Sequence, residues 1–333
     1  RFFARVAPWC AALFSRYALI VWLAVTIWAG CELLVHHHRL AAASARVLTP
    51  DNWIWLAAAW IVLKMFHECG HAISCKRMGG EVREAGVIFI LLAPLAYVDV
   101  TSSWRLRSKW ERIAVAAAGM YVELFLASVA ALVWIRLDPG RWSQVCMNVM
   151  LSASVMTVLF NANPLMRFDG YYILSDLVEI PNLYTTGHTY VRYLVRKYLF
   201  GLSALTPGGR GARAVFVRVY GIACVCWRLL VFWSLVLTAA TLLDGLGILL
   251  SAAAILTWIV FWVKRTIRFA NEDGVGRNNW LRAVVTTGLL SGMSGLTLIY
   301  LPWPGSVAAP AVVHYGTESV IRAKCNGFVR RVH

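Results

Sequence analysis

Charge of either sign is scarce in this chain of 333 residues: Asp, Glu, Lys and Arg together make up 14%, where an ordinary soluble domain carries about 25%. So little polar surface excludes a disordered chain, which stays solvated through its charges. It also argues against a water-soluble globule, because the 60% of residues that are hydrophobic could not all be covered. Acidic residues are the scarcer sign, 16 against 32 Lys and Arg, for a net charge of +16. In a soluble protein that excess would point to nucleic acid. In a chain this apolar, cationic loops lying against the anionic inner face of a bilayer are the better account, and no nucleic-acid partner is expected. Paired cysteines are missing too. The eight cysteines show no C-x-x-C and no regular spacing, and most sit in apolar runs where a thiol behaves as a small hydrophobe. That excludes a disulfide framework. No repeat recurs at a period of about 20–50 residues, which excludes a solenoid.

What the sequence does have is apolar length. Seven segments are long enough to span a bilayer, at roughly 17–36, 53–75, 113–135, 144–163, 217–243, 246–263 and 283–301. The fold expected is an all-α polytopic membrane protein with about seven transmembrane helices. The first run, flanked by Arg16, fits a retained spanning helix better than a cleaved signal. With the N-terminus inside, 21 Lys and Arg fall in the inner segments against four in the outer loops (Arg39, Arg46, Arg136 and Arg141). This bias predicts a cytosolic N-terminus and a C-terminal tail outside. Residues 85–100, AGVIFILLAPLAYVDV, are apolar and β-branched, broken by Pro94 and ended by Asp99. The run is too short to cross and return as helices, so it reads as a short β-hairpin or re-entrant segment.

Two stretches are polar. Residues 181–213, with Pro181, Pro207 and a Gly-Gly-Arg-Gly run at 208–211, read as a cytosolic linker. After Pro302-Trp303-Pro304-Gly305 the hydropathy falls, and short β-type runs with turn signals at Gly316 and Asn326-Gly327 follow. They read as the start of a β-rich extracytoplasmic domain, cut off before it could close a core. The expected organisation is a first helix and outer loop (1–52), a membrane core (53–180), a linker (181–216), further membrane helices (217–304) and the β-type tail (305–333).

The chemistry-bearing pattern is His67-Glu68-Cys69-Gly70-His71, an H-E-x-x-H inside the second apolar segment. Helical spacing places both imidazoles on one face, one turn apart, where they can reach one ion. Glu68 lies about 100° around, positioned to address a water on that ion rather than the ion itself. Ionisable groups held in lipid without a task would cost about 2.5–3.5 kcal/mol for each charge at the centre. A catalytic zinc site wants three protein ligands and an open position. The acids near membrane segments that could supply the third are Asp99, Glu123, Asp169 and Asp176. Asp169 follows Asn161-x-x-Pro164 and precedes Gly170, a rigid backbone feature able to aim one carboxylate.

H-E-C-G-H on a membrane helix, followed about 100 residues later by N-x-x-P-x-x-x-x-D-G, resembles the site-2 protease family of intramembrane zinc metalloproteases. The resemblance implies Zn2+ as cofactor, His67, His71 and Asp169 as metal ligands and Glu68 as general base. It also implies Asn161 and Pro164 as supports for the substrate. Phe168 stands where the family usually has Leu. Glu123, in Ala118-Gly119-Met-Tyr-Val-Glu123, stands where many members carry Asn, so it and Asp99 join the supporting candidates. The wider pattern, Phe-Asp-Gly-Tyr-Tyr at 168–172 followed by extra membrane helices, is similar to one bacterial subgroup. That subgroup continues into a membrane-fusion adaptor segment of biotinyl-lipoyl type, and residues 320–333 resemble its first strands.

The function expected is hydrolysis of peptide bonds in membrane-embedded or membrane-associated substrates. It would take place in a multi-pass protein of the bacterial inner membrane. The alternative is a non-enzymatic scaffold of an export or efflux assembly that keeps the zinc site and meets that machinery through its tail. Expected partners are the lipid bilayer and a membrane-protein or peptide substrate. Weaker features are read blandly: His36-His37-His38 as a solvated interfacial loop, Cys75 as a packed thiol, and Trp53 and Trp303 as interface anchors. Lys64 and Arg167 are read as lining a polar channel, with Lys64 equally able to snorkel.

Overall fold

Long apolar runs satisfy their backbone hydrogen bonds inside a membrane only as helices or closed barrels, and helices dominate this structure. The computed structural model describes residues 8–44, 47–90, 93–202, 207, 209, 211–242, 244–272, 279–286 and 288–289. The chain divides into two units, Arg1–Val275 and Gly276–His333. In the second, the described residues 279–286 and 288–289 are helical. Most of the expected seventh segment and all of the β-type tail lie outside the described residues.

In the first unit, α1 (Arg16–Val35) starts at Ser15, whose hydroxyl accepts from the Ala18 N–H at 3.2 Å, an ordinary N-cap. A short α2 (His37–Ser44) follows, then α3 (Trp53–Arg77), α4 (Lys109–Arg136) and α5 (Arg141–Met156). α5 runs on into a π turn over Thr157–Asn161. Beyond it come α6 (Asp169–Leu177), α7 (Leu183–Leu194), α8 (Ala212–Leu242) and α9 (Asp244–Glu272). Among the described residues, four helical stretches are long and apolar enough to cross a membrane: α1, α4, α5 with its π turn, and α8 over Ala212–Ala240. α3 is as long, at 25 residues, but Lys64, Glu68 and two histidines dilute its apolar face. α9 carries a shorter apolar stretch, Gly245–Phe261.

α3, α4 and α5 pack on one another, joined by Leu63, Ala127 and Ala153, one from each helix. Gly70 lets α3 approach α4 closely: a Cβ there would lie 2.8 Å from the Ala118 carbonyl oxygen. Small residues at helix contacts are the usual way to gain packing where lipid supplies no hydrophobic drive. α1 leans on α4, where the Trp22 indole N–H donates to the Tyr121 carbonyl at 2.8 Å. At the far end of α4, Arg39 donates to the Ile135, Trp134 and Leu137 carbonyls and stacks over the Trp134 ring. A basic residue counted in the sequence as loop charge is thus the cap of a helix C-terminus, where cations are favoured.

β1 (Ala85–Ile90) pairs antiparallel with β2 (Ala93–Val98), from Ala85↔Val98 to Ile90↔Ala93, as the hairpin reading expected. β2 packs against α3. Among the described residues β1 has no second neighbour in this two-stranded sheet, and it leaves Val87 and Phe89 exposed.

The polar stretch read as a linker is partly helical. α7 and a π turn over Val195–Leu199 occupy 183–199. The reason is amphipathicity. Leu183, Gly187 and Tyr193 are buried while the polar residues face outward. Gly187 meets Gly221 of α8 so closely that a Cβ on either would strike the other's backbone.

Candidate metal centre

The centre is built where α3 crosses α4. His67 and His71, four residues apart, are both buried and turn toward Gly119 of α4. A Cβ at Gly119 would lie 2.5 Å from His67 Cε1 and 2.6 Å from the Nε2 atoms of both histidines, so glycine is what leaves room for the rings. One turn earlier, the Val115 carbonyl lies 2.8 Å from His71 Nδ1. With Nδ1–H donating to that carbonyl, the Nε2 lone pair of His71 faces the centre.

The third group arrives from the other side of a chain reversal. The π turn ends α5, with Ala162 N–H bonding back to the Thr157 carbonyl at 2.6 Å. Asn163 then closes an Asx turn by accepting from Leu165 N–H at 2.8 Å. Pro164 prevents the helix from continuing. α6 starts at Asp169, in the first turn where a carboxylate is favoured by the helix dipole. Gly170, read from the sequence as part of the backbone feature that aims Asp169, has no positive φ. It serves instead a close approach, since a Cβ there would collide with the Ala162 carbonyl.

Three ligand atoms converge. His67 Nε2 lies 3.0 Å from His71 Nε2 and 3.1 Å from Asp169 Oδ2, and His71 Nε2 lies 3.4 Å from Asp169 Oδ1. His67, His71 and Asp169 form a group able to hold a metal, with ligand atoms all within 4.8 Å of one another. Bonds of about 2.0–2.1 Å at tetrahedral angles put neighbouring donors about 3.3 Å apart, so the observed separations fit a tetrahedral ion such as zinc with little adjustment. Two imidazoles and one carboxylate are a donor set that zinc accepts. Glu68 is half-buried beside them and makes no hydrogen bond among the described residues.

Glu123 is fully buried. Its Oε2 accepts from Thr157 Oγ1 at 2.6 Å and from Asn161 Nδ2 at 2.9 Å. Its Oε1 accepts from Lys64 Nζ at 2.9 Å and lies 3.3 Å from His67 Nδ1. Lys64, read from the sequence as lining a polar channel or snorkelling, pairs with this acid.

The remaining candidates are placed elsewhere. Asn161 is turned to Glu123, and the Pro164 carbonyl accepts from the Tyr220 hydroxyl at 2.8 Å, which ties the reversal to α8. Asp99 accepts from the Thr101 N–H at 2.9 Å at the hairpin's exit, outside the group of three. Hydrogen bonds from Thr101 hold its carboxyl below the ordinary carboxylate value. Asp176 pairs with Arg112 at 2.7 Å. Arg167 donates to Thr185 and covers the Tyr184 ring. Cys75 is buried, 3.5 Å from Ser102 Oγ. His36 and His37 bond to the Glu32 and Leu34 carbonyls.

Sequence reasoning missed Gly119, Val115 and Thr157. Gly119 left one signal, a glycine inside an apolar helix, where it costs about 1 kcal/mol relative to alanine. Val115 left none, because it acts through its backbone. Compared with known proteins, no curated protein and no solved structure matches the chain. Residues 55–140 are similar to Peptidase family M50, a stretch that takes in His67, Glu68, His71 and Glu123 and stops short of Asp169.

Proposed function

We propose that this chain is a zinc-dependent intramembrane endopeptidase that hydrolyses peptide bonds of membrane-embedded or membrane-associated polypeptides. The observation that carries the reading is the meeting of His67, His71 and Asp169 ligand atoms from two separate helices, beside a free carboxylate on Glu68. The match of 55–140 to Peptidase family M50 supports it. His67 and His71 would bind through Nε2 and Asp169 through its carboxylate. When bound, the zinc supplies Lewis acidity, polarising the scissile carbonyl and acidifying water. Glu68 takes the proton from the attacking water on a carboxylate oxygen and delivers it to the leaving amine nitrogen. Its lack of hydrogen-bond partners among the described residues leaves that oxygen free to do so.

A helical substrate hides its amides, so a cleavable segment must be extended. The unpaired edge of β1 offers backbone groups to which an extended segment adds as a strand. The excess of basic residues in alternate loops supports a cytosolic N-terminus in a bacterial inner membrane. The test is purified full-length protein assayed for zinc and for cleavage of a membrane peptide. Glu68→Gln is expected to keep stoichiometric zinc and lose cleavage by at least about 100-fold, the lower end of what a general base contributes. Asp169→Ala is expected to lose zinc. Cleavage that survives Glu68→Gln, or full zinc occupancy in Asp169→Ala, would overturn the assignment.

A further inference from the structure

Among the described residues Glu123 is the one acidic side chain that is fully buried, 1% exposed, and it lies inside a membrane-spanning helix. A carboxylate there is costly unless every lone pair is answered. It is answered from two helices, and its two oxygens divide the work. Oε2 takes two neutral donors from the π turn of α5, Thr157 Oγ1 and Asn161 Nδ2. That grip fixes the carboxylate's plane. Oε1 is left facing α3, where it meets Lys64 Nζ at 2.9 Å and His67 Nδ1 at 3.3 Å.

His67 Nδ1 is itself buried and has no hydrogen bond of good geometry. The acceptor beside it is Oε1. A carboxylate at that position selects the tautomer with hydrogen on Nδ1, so the Nε2 lone pair is directed to Asp169 and His71. Both histidines are then held in the same way, His71 by the neutral Val115 carbonyl and His67 by a charge. Outer partners of this kind orient a ligand ring and raise its basicity. Charge balance agrees. With Glu68, Glu123 and Asp169 ionised and Lys64 protonated, a divalent cation brings the centre to formal neutrality, the condition under which buried ions are least penalised.

We infer that Glu123 is a positioning residue of the metal centre. It fixes the His67 ring through Nδ1, with Lys64 as its countercharge and the α5 π turn as its mount. The inference rests on the reading that His67, His71 and Asp169 hold a divalent metal. If Glu123 served only to tie α3, α4 and α5 together, its loss would lower stability and leave metal chemistry alone.

The experiment uses the full chain in lipid nanodiscs, as wild type, Glu123→Gln, Lys64→Met and the double variant. Three quantities are read: Zn2+ affinity by chelator competition, the visible absorption of the Co2+-substituted protein, and thermal unfolding without metal. Glu123→Gln is expected to weaken Zn2+ binding by about 10–100-fold and to shift the Co2+ bands. The double variant removes both charges together. It is expected to recover the unfolding temperature that either single change lowers, yet to keep the weak binding and the shifted bands. If Glu123→Gln does not fold, the double variant carries the test. Zn2+ affinity within twofold of wild type and unchanged Co2+ bands in either folded variant would overturn the inference. A wild type that holds no metal would instead overturn the metal reading on which it stands.

Discussion

At the scale of single residues, Gly119 decides whether a metal fits. Of the two imidazoles it accommodates, His71 is pinned from behind by the Val115 carbonyl, and Glu123 Oε1 lies 3.3 Å behind His67 Nδ1. The three atoms nearest to a methyl group at 119 belong to the two rings, at 2.5–2.6 Å. Side-chain ends can move where backbone cannot, so the fold survives, and alanine even regains about 0.8–1 kcal/mol of helix propensity. The ligand atoms have no such freedom, because any ring shift carries Nε2 off the point shared with Asp169. Gly119→Ala is therefore expected to unfold within a few degrees of wild type while Zn2+ affinity falls at least about tenfold, by analogy with the loss of one outer partner. Chelator competition and calorimetry on the same sample check both halves. The pairing of His67 and His71 could be read from their four-residue spacing, whereas the residues left four acids open for the third place and the family resemblance singled out Asp169, which the fold brings to both histidines. The surroundings could not be read. Lys64 and Thr157 lie 59 and 34 residues from Glu123 in the chain, and nothing in their local spacing pairs them.

At the scale of elements, the β1–β2 hairpin was legible because apolar β-branched residues broken by a proline cannot be a spanning helix. α7 was not, because its composition is that of a loop and only its period places Leu183, Gly187 and Tyr193 on one side. The hairpin also carries a test of strand addition. Along β1, successive N–H groups point alternately to β2 and to the open edge. Val87→Pro and Ile88→Pro therefore remove one inward and one outward donor, in an order the outcome itself reveals. The inward change is expected to break the pairing of Ala85–Ile90 with Ala93–Val98 and lower thermal stability. The outward change is expected to leave stability near wild type while raising KM for a membrane peptide several-fold. Two variants with equal stability and equal KM would rule out strand addition at this edge.

At the scale of the whole molecule, α4 fixes the sides of the membrane. It runs from Lys109 to Arg136 as one of the helices able to cross, so whatever adjoins its two ends faces opposite compartments. The segment before it holds Arg105 and Arg107, and Lys109, its first residue, is bridged to Glu179 at 2.6 Å. The turn beyond Glu179 therefore belongs to the same side as the start of α4. The loop after α4 holds Asp138, Arg141 opens α5, and Arg136, the last residue of α4, donates to the Leu132 carbonyl of its own helix. On the proposed topology the Lys109 end is cytosolic and the Arg136 end outside. In a variant cleared of its native cysteines, Asp138→Cys is expected to react with a membrane-impermeant maleimide in intact bacteria. Glu84→Cys, on the polar stretch between α3 and β1, is expected to react only after permeabilisation. The opposite pattern would invert the protein and put the open edge of β1 on the outer face. Extracellular segments, rather than cytosolic ones, would then be the polypeptides it could reach.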